Sequence, residues 1–135
     1  MGKRLRNTEG MAKTKPNSIL KGHTAYFKQI ANDIIMFVTF TSKKIARIAN
    51  EAIETIELIV NIDPKAKPGA KSYVVPRKYV GKRSDLKGNE PNRRLSKKDE
   101  PTINYIFDTL PDIDYESANI KYKKYVKEQK SQNDK

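Results

Sequence analysis

The sequence predicts a mainly α fold: a long helix or helical hairpin over residues 24–61, an extended basic segment with at most a short strand pair, and two C-terminal helices. Three observations carry that expectation. Apolar residues recur at intervals of three and four from Phe27 to Val60, the spacing of one buried helical face. Pro101 and Pro111 bracket a stretch with Ile103, Ile106, Phe107 and Leu110 on one side. Residues 115–130 run from acidic to basic, the order that complements a helix macrodipole.

Each element follows from local residues. Residues 1–23 read as a basic arm with six Lys/Arg against one acid, and no apolar run follows the cationic start, so no signal peptide is expected. Thr24 is placed to cap the first helix, whose face is Phe27, Ile30, Ala31, Ile34 and Val38. Ile45, Ile48, Ala49, Ala52, Ile53, Ile56, Ile59 and Val60 continue the pattern, with Lys43, Lys44, Arg47, Glu51, Glu54 and Glu57 on the opposite side. Residues 39–42 either break the helix or bend it. The competing reading makes Ile34–Thr41 a strand, because it is rich in β-branched and aromatic residues; the spacing on both sides favours helix. Asp63-Pro64 ends the element.

Residues 64–100 carry twelve Lys/Arg against four acids and four of the seven prolines. Within them only 72–80 reads as ordered, with Tyr73, Val75 and Tyr79 on one strand face and Pro76 confining that strand to an edge. Asp99 caps the third helix, Pro101 lies in its first turn and Pro111 stops it. The last helix shows Tyr115, Ala118, Tyr122, Tyr125 and Val126 at helical spacing. The domain plan is thus an arm over 1–23, one small helical domain over 24–130 with a basic insertion at 64–100, and a tail at 131–135.

Charge points to function class. The chain of 135 residues has a net charge of +12, concentrated as +5 in 1–23 and +8 in 64–100, the layout of a protein that lies against a polyanion. Only 36% of residues are hydrophobic, so the folded part is small and completion by a partner is expected. There is no cysteine, hence no disulfide framework and no thiolate ligand. His23 is the single histidine, too few for a conventional zinc site, and it reads as a helix-flanking polar residue. Asp112, Glu128 and Lys130 match a metal-nuclease spacing only superficially, because that chemistry needs carboxylates fixed around the ion. No P-loop or dinucleotide motif occurs, so no enzyme activity, cofactor or metal is expected.

The candidate contact residues are the cations and rings of 71–83, namely Lys71, Tyr73, Arg77, Lys78, Tyr79, Lys82 and Arg83. Cations there would meet phosphates and rings would stack on bases; the competing reading docks Tyr and Val on a neighbouring protein. Lys3, Arg4 and Arg6, and Arg93, Arg94, Lys97 and Lys98, form two shorter basic clusters. The expectation is a non-enzymatic structural subunit of a nucleoprotein assembly, a virion or phage particle, in the virion or cytoplasm. Its partners would be other protein subunits, in a homo- or hetero-oligomer, and nucleic acid held by the basic arms. The alternative is a free-standing nucleic-acid-binding accessory or regulatory protein using 71–83. Neither a membrane nor a small-molecule substrate is expected.

Overall fold

The computed structural model describes residues 7–16, 18–20, 22–58, 72–89 and 94–133. Among the described residues strand outweighs helix, 43% against 29%, which overturns the mainly α expectation. In chain order the elements are β1 (Glu9–Thr14), β2 (Thr24–Ala31), β3 (Ile34–Thr41), β4 (Ile45–Ile48), β5 (Glu51–Glu54), β6 (Ile56–Glu57), β7 (Tyr73–Val74), β8 (Lys78–Lys82), a 3-10 turn (Arg83–Asp85), β9 (Leu86–Asn89), α1 (Glu100–Thr109), β10 (Asp112–Asp114) and α2 (Tyr115–Asn133). The main sheet runs β10-β8-β3-β2-β1-β9, with β7 and β6 extending it beside the far half of β3, and β4–β5 form a separate hairpin.

Connectivity forces this sheet to curl. β8 ends beside Ile34 at one end of β3, whereas β9 begins beside Thr14 at the opposite end of β1. In a flat sheet those points would lie roughly 30 Å apart. Four Cα steps from Lys82 to Leu86 reach at most about 14 Å. The two ends of the five-strand order must therefore approach each other. Arg83 holds that junction: its backbone amide donates to Asp33 O (3.2 Å), and Nη1 donates to Asn7 O (2.9 Å) and Gln29 Oε1 (2.7 Å).

Both faces of the sheet are covered, and this explains the misleading spacing. Ala12, Ala25, Phe27, Ile35, Phe37, Tyr79 and Leu86 share one cluster; since Tyr79 and Leu86 come from opposite ends of the order, this face is the inside of the curl. The alternate residues Met11, Tyr26, Val38 and Val74 pack with Ile103, Ile106 and Phe107 of α1 on the other face. A strand buried on both sides loses its apolar/polar alternation. The supposed helical face is a coincidence of position. Ile30 and Ile34, two of its members, are 51% and 40% exposed, because they flank the Asn32-Asp33 turn joining β2 to β3. Asp33 takes φ 62 there, a conformation that Asp tolerates better than most residues.

The other corrections have similar causes. Residues 9–14 of the expected arm are β1, paired with β2 and β9. Over residues 24–58 the expected helix is replaced by β2 to β6, with Ile34–Thr41 a strand, and residues 59–61 lie outside the described residues. The basic insertion is not merely extended: β7, β8 and β9 belong to the main sheet. Pro76 does not mark an edge. It falls between β7 and β8, both paired to β3, with β6 beyond β7 and β10 beyond β8. A residue without an N–H fits where one partner ends and another begins. The two C-terminal helices do form, α1 starting at the Asp99 cap position and α2 after Asp114. Among the described residues no helix is long and apolar enough to cross a membrane.

Candidate nucleic-acid interface

Folding scatters the cations and rings of 71–83. Tyr73 and Tyr79 are only 5% and 1% exposed, so neither ring can stack on a base. Tyr79 lies 5.5 Å from the Phe37 ring and 5.6 Å, edge to face, from Tyr115. Burial pushes the Tyr79 and Tyr115 hydroxyls up from the usual tyrosine range. Lys78 is a buried strut: its Nζ donates to Phe107 O at the end of α1 (2.8 Å) and pairs with Asp112 of β10 (2.8 Å). Arg77 pairs with Glu51 of β5. Arg83 closes the curl. Lys82 is exposed, as are Arg94, Lys97 and Lys98. Lys3, Arg4, Arg6, Lys71 and Arg93 lie outside the described residues.

The structure gathers a different set of groups. Two adjoining recesses, of about 340 and 270 Å³, share His23 and Arg47. The first lies between the β4–β5 turn and the later turns of α2, and Tyr122, Tyr125, Gln129 and Lys130 line it. The second continues beneath the hairpin, past Lys43, to Thr39 and Thr41 of β3. Lys43 and Arg47 beside and within the β4–β5 hairpin meet Lys130 of α2, and among the described residues no Asp or Glu lines either recess. A third recess, of about 540 Å³, gives the contrast: Asp85, Asp114 and Glu116 line it against Lys82 and Lys123.

Local sequence explains how the walls are held. β4 buries Ala46 and Ile48, which leaves Arg47 on the side facing away from the core. Thr55 secures the hairpin base, its Oγ1 donating to Lys44 O (2.8 Å) and Lys43 O (3.1 Å). His23 ends the β1–β2 connection, where its amide donates to Thr14 Oγ1 (2.8 Å) and its carbonyl accepts from the Thr14 amide (2.9 Å). α2 is anchored at its start: Asp114 Oδ2 accepts from the Ser117 amide (3.0 Å) and hydroxyl (2.6 Å), and Asn119 Oδ1 accepts from the Ile19 amide (2.9 Å). Those Ser117 bonds, the hydroxyl's first, hold the Asp114 carboxyl below its usual range.

Sequence reasoning treats His23 as a flanking residue and Tyr122 and Tyr125 as helix-face residues; it does not join them to Arg47. The signal available was the pair of tyrosines three apart among lysines in a strongly polar helix. Glu128 sits thirteen residues beyond the start of α2, about 20 Å along its axis, so Asp112 and Glu128 do not converge. Among the described residues no group of three or more His, Asp or Glu could hold a metal ion. No protein-family model, curated protein or solved structure matches the chain.

Proposed function

We propose that this protein is a non-enzymatic nucleic-acid-binding accessory protein, and that the polyanion lies along the groove between the β4–β5 hairpin and the later turns of α2. One observation carries the reading: among the described residues the two joined recesses present three cations and no carboxylate. Phosphates gain from such a site because neutralising them releases condensed counterions. The exposed Lys124 and Lys127 on the same helix extend the positive field. The first expectation, a particle subunit whose helices pack on neighbours, draws less support than the alternative, because Phe27, Val38, Ala46, Ile48 and others of the apolar positions in 24–58 are strand residues packed within the sheet and hairpin. On the present reading the protein works wherever nucleic acid is exposed, in the cytoplasm or within a nucleoprotein particle.

Fluorescence anisotropy with a labelled oligonucleotide over a salt series tests this. Three neutralised phosphates give a log–log slope near −2 on single strands, about a twentyfold fall in affinity between 50 and 200 mM salt. Arg47→Ala and Lys130→Ala should each flatten that slope by roughly 0.7. Absence of binding at 50 mM salt, or variants with the wild-type slope, would overturn the proposal.

A further inference from the structure

We infer that the groove selects single-stranded nucleic acid, by stacking unpaired bases on Tyr122 and Tyr125. This rests on the reading of the groove as a nucleic-acid site and says which form of nucleic acid it takes.

The face of α2 that carries these rings has two parts. Tyr115 and Ala118 pack on the inner cluster, and Tyr115 is 1% exposed. In further steps of three and four residues, the same face continues as Tyr122, Tyr125, Val126 and Gln129. These side chains are no longer enclosed; they form one wall of the first recess. Aromatic rings on a concave, cation-lined wall suit a flat apolar ligand tied to a negative backbone.

Size and shape separate the two kinds of strand. At about 340 Å³ the recess stands at the small end of ligand sites. A duplex keeps its base faces stacked inside a convex cylinder and presents only phosphates and groove edges. It can touch Arg47 and Lys130 at the rim but cannot bring a base face to the wall. A single strand can turn a base inward, with its phosphate against Arg47 or Lys130. Gln129 and His23 in the same recess offer donors and an acceptor to the edge of that base.

The test compares oligo(dT) and oligo(rU) 12-mers with a 12-base-pair duplex at one salt concentration, for the full chain and its Tyr122→Leu, Tyr125→Leu and Tyr125→Phe variants. Single strands should bind about tenfold or more tightly than duplex. Each Leu variant should lose about tenfold in single-strand affinity, Tyr125→Phe should keep it, and duplex affinity should not change. Should a Leu variant fail to fold, photocrosslinking of the wild-type protein to a bromouridine oligonucleotide decides: adducts belong on Tyr122 or Tyr125. Equal binding of strand and duplex, folded Leu variants that bind like wild type, or adducts elsewhere overturn the stacking inference yet leave a phosphate-binding groove. If neither strand nor duplex binds, both the inference and the reading beneath it fall.

Discussion

The β2–β3 hairpin and α2 show similar spacings of apolar and aromatic residues, and the structure uses them in opposite ways. In the hairpin, Phe27 and Phe37 point inside the curl while Tyr26 and Val38 meet α1. Apart from Ile30 and Ile34 beside the turn, the large apolar positions there serve packing. Among the described side chains of α2 only Tyr115 is fully enclosed, and Tyr122 and Tyr125 line an open recess. What differs is the covering layer: the hairpin has one on each side, whereas the later turns of α2 have one side only, and that incomplete. A ring under two layers stabilises the fold, whereas a ring under one also borders the space a ligand would enter.

The sharpest way to break this contrast is to truncate a ring in each region. Phe37 is fully buried, 5.0 Å from the Tyr115 ring. Phe37→Ala should cost about 3–5 kcal/mol of unfolding free energy, from lost burial and the cavity left behind. Tyr125→Leu should stay within about 1 kcal/mol of wild type, since a partly exposed site loses little. Urea denaturation checks both. Equal losses would mean that α2 is core along its whole length.

A smaller effect is expected where the regions meet. A Cβ added at Gly81 would stand 2.6 Å from Asp85 Oδ2 and 3.2 Å from Tyr115 Cβ. Asp85 Oδ2 also accepts from the Lys82 amide (2.8 Å), so relief of the clash disturbs the 3-10 turn. Gly81→Ala should therefore lower stability by about 1–3 kcal/mol, as overpacking does. A melting temperature equal to wild type would show that α2 does not press on β8.

The smallest effect concerns the anchoring of α2 alone. Because the folded-state carboxyl of Asp114 is held below its usual range by Ser117, its contribution is present above the unfolded value and fades as pH falls through the folded one. Titration from about pH 5 to pH 2 should loosen the first turn of α2, seen as movement of the Ser117 amide resonance. Asp114→Asn keeps an acceptor for the cap and should remove that pH dependence. A resonance that still moves in the variant would assign the transition to another carboxylate.

Both C-terminal helices are legible in the sequence because their signals are local: Pro101 and Pro111 around α1, and the acidic start and basic later turns of α2. The hairpin also left a local mark, Asn32-Asp33 between two apolar runs, which competes with the three/four spacing and is the better guide. The interface left almost none. His23, Arg47 and Lys130 are far apart in sequence, and the cations of 71–83 look available until Lys78, Arg77 and Arg83 are seen bonded to Phe107 O, Glu51 and Asn7 O.

By itself, the chain's order of residues determined its net charge, its two helices and the β-branched run that becomes β3, because composition, capping and strand preference act over a few neighbours. Tertiary structure alone decided that β3 is buried on both faces, that Pro76 falls between two partners, and which cations remain open to a ligand. Those outcomes depend on sheet pairing between segments distant in sequence, and pairing determines which side chains water still reaches.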